Sequence, residues 1–121
     1  MQILQPRASE RMTETFTGEV FSDVVLPATD GVRVQTVTFA PGARTHWHAH
    51  EGGQLLFVVS GSGHVRGRGE EARPLRSGDT VWIPPGEEHW HGAGPESLLV
   101  HTAVSLGETR WLEPVADADY V

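Results

Sequence analysis

Glycine and proline interrupt this chain too often for it to build helices. Fourteen glycines and eight prolines are spread over 121 residues. No stretch longer than about ten residues keeps an apolar stripe at helical spacing. Between the interruptions lie short runs of β-branched and aliphatic residues, at 32–39, 55–59, 80–83 and 98–104. The separating stretches are turn formers: Asp30-Gly31, Pro41-Gly42, SGSG at 60–63, SGD at 77–79 and PPG at 84–86. Short strands at this spacing predict an antiparallel sandwich or barrel. The polar residues 1–15 read as an N-terminal arm, and 16–121 as one barrel domain. The charged stretch 67–76 reads as an exposed hairpin or loop, with Glu70 and Glu71 in solvent.

Composition narrows the chemistry. Nine basic residues against sixteen acidic give a net charge of −7, which disfavours nucleic acid and anionic membranes as partners. No apolar run approaches the ~20 residues that span a bilayer. The N-terminus carries no apolar leader, so a cytoplasmic location is expected. With no cysteine, disulfides and thiolate metal sites are excluded. Any transition-metal site must use imidazole, carboxylate or amide ligands.

The histidines supply such ligands. Five of the seven sit in two short stretches, THWHAH at 45–50 and HWH at 89–91. In an extended strand, residues i and i+2 share a face. His48 and His50 therefore point the same way, as do His89 and His91. If both strands turn these faces inward, four imidazoles converge in one lumen. Gln54 can join them after the Gly52-Gly53 turn, and His101, between Val100 and Val104, can face the same cavity.

These stretches resemble the two motifs of the cupin superfamily. Gly42, five residues, His48-Ala49-His50, three residues, Gln54, six residues and Gly61 match the first motif; Gly78, five residues, Pro84-Pro85-Gly86, two residues and His89 match the second. Two positions depart: Gln54 stands where the family usually has Glu, and Ala93 where it usually has Asn. The resemblance implies an all-β fold, a small double-stranded β-helix or jelly-roll barrel, with a divalent transition metal on His48, His50, Gln54 and His89. The strings FAPGARTHWHAHEGGQ, SGDTVWIPPGEEHWHGAGP and WLEPVADADY are similar to the bacterial manganese-dependent cupin hydroxynitrile lyases. That likeness implies Mn2+ foremost, with Fe2+, Ni2+, Co2+ or Zn2+ as alternatives. It also implies that His91 and His101 line the pocket and move protons while a cyanohydrin is cleaved to, or formed from, a carbonyl compound and HCN. His101 ranks first as the base, because His91 is placed to orient the strand of His89.

A neutral ligand set explains Gln54. Three imidazoles and an amide leave the whole +2 on the ion, whereas Glu would cancel one unit, and a more electrophilic ion polarises a bound hydroxyl or carbonyl more strongly. Other classes also fit three histidines: a metal-dependent dioxygenase, or a barrel that binds a small ligand without turnover. Of the remaining residues, Gln35, Val37 and Phe39 are expected to line the barrel, and Trp82, Leu56 and Val58 to be core or pocket wall. His46 belongs to an exposed loop or the pocket rim, and His64 to the surface. Trp47 and Trp90 alternate away from the histidines, which places them outside the lumen, at a subunit interface of a homodimer or larger homo-oligomer.

Overall fold

The computed structural model describes all residues, 1–121. Twelve strands follow one another: β1 (Glu10–Met12), β2 (Phe16–Thr17), β3 (Val20–Thr29), β4 (Val32–Phe39), β5 (Arg44–Thr45), β6 (His48–His50), β7 (Gln54–Gly67), β8 (Arg73–Arg76), β9 (Thr80–Ile83), β10 (His89–Ala93), β11 (Leu99–Leu106) and β12 (Thr109–Trp111). A single 3-10 turn at Asp117–Asp119 is the only helical element. One sheet runs β1-β3-β4-β11-β7-β9. The other runs β2-β5-β10-β7-β8, with β6 also on β10 and β12 on β6. Every pairing is antiparallel, and the two sheets close into a jelly-roll barrel.

β7 belongs to both sheets. Its first half pairs with β11 and β9, its second with β10 and β8. The SGSG segment, expected as a turn between strands, is the bend in this one long strand. Glycine is required there because backbones approach closely: a Cβ on Gly61 would lie 1.9 Å from the Leu98 carbonyl oxygen, and one on Gly63 2.1 Å from that of Gly92. Elsewhere the turn signals hold. Asp30 and Gly31 both have positive φ and make the β3–β4 hairpin turn. The segment after Gly67 turns back into β8, so the charged stretch is a hairpin.

Residues 1–9 carry no regular structure, whereas Glu10–Met12 already pairs with β3. β3 itself was not among the strand runs read from the sequence: Ser22, Asp23 and Pro27 break its apolar pattern. The core lies between the sheets and includes Val20, Val37, Phe39, Leu56, Val58, Ile83 and Leu99. β11 alternates strictly, turning Leu99, His101, Ala103 and Ser105 inward. On β9 the same alternation turns Trp82 outward, 52% exposed, so it is neither core nor lumen wall.

Trp47 and Trp90 do point away from the lumen, but they are not available to a partner. They pack with Val115, Leu112 and Tyr120 of the chain's own C-terminal segment. Arg68 lies 4.2 Å over Trp47 and bonds to Glu113 at 2.8 Å. Arg44 reaches Asp117 at 3.0 Å and stacks on Tyr120, whose hydroxyl donates to the Ala93 carbonyl at 2.6 Å. The tail covers these tryptophans because the fifteen residues beyond β11 include apolar groups that must be buried somewhere, and Leu112, Val115 and Tyr120 pack here.

Candidate metal centre

β6 and β10 run antiparallel with His89 opposite His48. Period two then brings His48, His50 and His89 onto one inward face. One ring nitrogen from each lies within 4.8 Å of the others, and all three residues are buried. Each ring has its other nitrogen engaged. His48 Nδ1 donates to the His46 carbonyl at 2.9 Å, and His89 Nδ1 to the Glu87 carbonyl at 2.8 Å. His50 Nδ1 is 2.9 Å from the Thr109 hydroxyl. A proton fixed on Nδ1 leaves Nε2 with a bare lone pair, the arrangement that metal-ligating histidines use.

Gln54 sits at the start of β7, directly after Gly53, and is buried. Its amide nitrogen donates to Ser105 Oγ at 3.1 Å, so its Oε1 turns to the histidines, 3.0 Å from His89 Nε2. With Nδ1 of His89 protonated, that contact sets two acceptors against each other. His50 Nε2 is buried with no hydrogen-bond partner at all. Converging lone pairs in a buried place are what a cation resolves, and four neutral N/O donors suit a divalent transition ion. The residues present therefore fit such an ion.

Next to the cluster lies a second pair. His91 Nδ1 and His101 Nε2 are 2.9 Å apart, from β10 and β11. The His91 ring centroid is 5.2 Å from that of His48 and 5.6 Å from that of His89. Its Nε2 is buried and unpartnered. Burial pushes all these imidazoles down, since the charged form loses its hydration. His89 and His101 fall to about 4 for that reason, and His50 to about 4 through burial first and the neighbouring His89 second. His48 and His91 are held well below the ordinary histidine value by burial and by the surrounding imidazoles.

His48, His50, Gln54, His91 and His101 face a cavity of about 600 Å³, and His89 completes the cluster from outside its lining. Gln35, Val37 and Phe39 line it as the alternation of β4 requires. Residues that the sequence did not single out form its mouth: Met12, Phe16 and Trp111, with Glu51, Glu108 and Arg33 on the rim. Trp111 lies 4.6 Å from the His48 ring and 5.7 Å from Phe16. Their only sequence signal was aromatic character in short segments flanking the motifs. His46 is half-buried and does not line the cavity; its carbonyl, rather than its ring, serves the site. His64 is half-buried rather than at the open surface.

The fold and this cluster define a small jelly-roll barrel with an interior three-histidine site. Residues 35–104 match the family model for the cupin domain, and the chain belongs to that family. It is 41% identical over 111 residues to an (R)-mandelonitrile lyase from Granulicella tundricola, covering 87% of this chain and 85% of that protein. A cupin-like protein from Thermotoga maritima superimposes with a TM-score of 0.87 at 39% identity, covering 99% of this chain and 95% of that one. A shorter similarity, 33% over 69 residues, links 54% of this chain to 36% of an acireductone dioxygenase from Gluconobacter oxydans.

Proposed function

We propose that this chain is a metal-dependent lyase that splits cyanohydrins into a carbonyl compound and HCN, and joins them in reverse. One observation carries the reading: a bonded pair of non-clustered histidines, His91 and His101, buried beside the three-histidine cluster in one cavity. The 41% identity to a protein named (R)-mandelonitrile lyase supports it. His48, His50, His89 and Gln54 Oε1 would hold the ion, Mn2+ first. Such an ion polarises a hydroxyl or carbonyl and stabilises the anion that develops on oxygen or on cyanide.

The chain's own residues handle the proton. With the shared proton on His91 Nδ1, donated to His101 Nε2, the free Nε2 of His91 is a base. It takes the hydroxyl proton of the cyanohydrin. The bond between the carbinol carbon and the nitrile carbon then breaks. Its electron pair leaves with cyanide as the carbonyl forms, and the proton held at His91 passes to cyanide to give HCN. The sequence reading ranked His101 first. The geometry favours His91, which stands between the cluster and His101, with His101 supporting it from behind. A low imidazole pKa keeps the base unprotonated in mildly acidic solution, and burial is its first cause here.

The cavity suits a neutral substrate with an apolar substituent. Trp111, Phe16 and Met12 offer an apolar wall beside His48, while Glu51 and Glu108 outnumber Arg33 at the rim and oppose anionic substrates. The dioxygenase reading has the shorter similarity behind it, and dioxygen chemistry has no evident use for the His91–His101 pair. The deciding experiment is metal analysis of the purified protein together with a mandelonitrile assay on the same sample. Bound metal with HCN release supports the lyase; a metal-loaded protein that releases none removes it.

We also propose that the protein works as a homo-oligomer, through a different surface from the one first expected. No helix is long and apolar enough to cross a membrane. The outer face of the β1-β3-β4-β11-β7-β9 sheet exposes Phe21, Phe57, Val59 and Trp82 among threonines and valines, with charges at its β1–β3 edge, where Arg11 stands opposite Phe21 beside Asp23. A broad face whose charges are confined to one edge, on a chain of net charge −7, is suited to a second copy of itself.

A further inference from the structure

We infer that Ser105 supports the ligating orientation of the Gln54 amide at the histidine cluster, and thereby raises the affinity for the metal. The inference rests on the metal site proposed above. Ser105 stands opposite Gln54 in the β11–β7 register, and both are buried. Its hydroxyl is the only partner of the amide nitrogen, at 3.1 Å. The two ends of an amide are equal in size and opposite in chemistry. Oε1 carries lone pairs for a cation; the NH2 group carries none. A half-turn about the last side-chain bond exchanges them without steric cost, so hydrogen-bond partners alone choose.

Two partners compete. His89 has its proton on Nδ1, donated to Glu87 O, and therefore shows Nε2 to the amide as an acceptor. Left to itself, that acceptor would draw the NH2 end and put Oε1 out of reach of any ion. In the ligating orientation Ser105 satisfies the N–H and leaves Oε1 aimed at the cluster; the same hydroxyl can turn and donate to Oε1 of the turned amide, so what it removes is the cost of burying the N–H. Remove its oxygen, and the ligating orientation strands a buried N–H, which is costly. The turned orientation strands only a carbonyl, the cheaper defect. Loss of the hydroxyl thus works specifically against the form that binds metal. Ser105 is a positioning residue for Gln54.

The test measures Mn2+ dissociation constants by calorimetry on the metal-free full-length protein and on S105A, S105T, S105V, Q54A and Q54A/S105A. S105A and S105V should bind about 10–100-fold more weakly than the parent, as changes to groups that orient metal ligands do. S105T, which restores the hydroxyl, should stay within about threefold. The double variant should be no weaker than Q54A alone, because Ser105 acts only through Gln54. The visible spectrum of the Co2+-loaded protein should change alike in S105A and Q54A, and the metal-free melting temperature should not follow the affinity. If S105A does not fold, the S105T and S105V pair, alike in shape and different in the hydroxyl, decides. S105A or S105V binding within about twofold of the parent overturns the inference. So does a double variant weaker than Q54A by the full Ser105 factor. A parent that binds no divalent ion brings down the metal-site proposal and this inference together, whereas a metal-binding parent with unaffected Ser105 variants brings down this inference alone.

Discussion

Nδ1 of His91 and Nε2 of His101 lie 2.9 Å apart, one ring from each sheet, so the contact exists only because the barrel is closed. If His91 is the base and His101 its support, H91A should lose about 10²–10⁴-fold in mandelonitrile cleavage, the usual worth of general acid–base help. H101A should lose less. Both should keep the metal content of the parent, measured by elemental analysis. Full activity in both, with metal bound, would leave the proton to other groups and sink the mechanism.

Metal binding should stabilise the fold. A ligand held only by the native state adds about 2.7 kcal/mol at a hundredfold excess over its dissociation constant. For a domain of this size that is roughly a 10 °C rise in melting temperature. Chelation should reverse the rise, and H48A or H89A should abolish it. A scan in which the parent melts at the same temperature with and without excess Mn2+ would count against the site.

Acid should destabilise the metal-free protein in a defined window. His50, His89 and His101 have folded pKa values of about 4, below the 6.5 of an unfolded histidine. Between those values the unfolded chain binds protons that the folded chain does not. The stability these residues contribute is therefore fully present above pH 6.5 and is lost as pH falls toward 4, each imidazole adding a slope of about 1.4 kcal/mol per pH unit. Denaturant titrations across that range would read the slope. A stability independent of pH there would mean the histidines are hydrated, contrary to their burial. Metal affinity should fall in the same direction, because protons and metal compete for the same nitrogens.

The apolar mouth should set substrate preference. Phe16 and Trp111 are 5.7 Å apart and face the cavity beside His48. W111L and F16L keep an apolar side chain, enlarge the mouth and remove the aromatic face. Each should raise KM for mandelonitrile about tenfold, a change worth ~1.4 kcal/mol, while acetone cyanohydrin is cleaved as before. Equal effects on both substrates would show that the wall shapes the pocket without reading the substituent.

The apolar part of the outer sheet face should hold the oligomer. F57K places an ammonium at the centre of that face, where Phe57 is 40% exposed and free of packing duties in the core. Light scattering should report a homodimer or larger species for the parent and a monomer for F57K, with cavity and metal content unaffected. A monomeric parent at micromolar concentration would overturn the assembly.

How far the sequence reaches is clearest at single residues. Val32–Phe39 and Thr80–Ile83 were legible to the residue, because runs of β-branched and apolar residues between Gly and Pro punctuation leave no other local choice. The sharing of a face by His48 and His50, and by His89 and His91, followed from period two alone. The Ser60–Gly63 bend was misread, because the same glycines serve a turn and a strand that crosses between sheets; only the approach of Leu98 and Gly92 distinguishes them. Trp47 and Trp90 pointed outward as alternation requires, but alternation carries no word on the tail returning to cover them.

The sequence by itself determined the period, the punctuation and the donor types: which residues could offer nitrogen or oxygen, and which strand face each would occupy. Tertiary structure alone decided what those faces meet. His89 stands across from His48, His101 against His91, and Ser105 beneath Gln54, in each case through pairing between strands separated in sequence. The pKa of every buried imidazole was likewise undecided until the barrel closed, since the same residue in an open strand keeps its water. Local pattern fixes direction along the chain; register between distant strands fixes distance, and the chemistry of the site depends on distance.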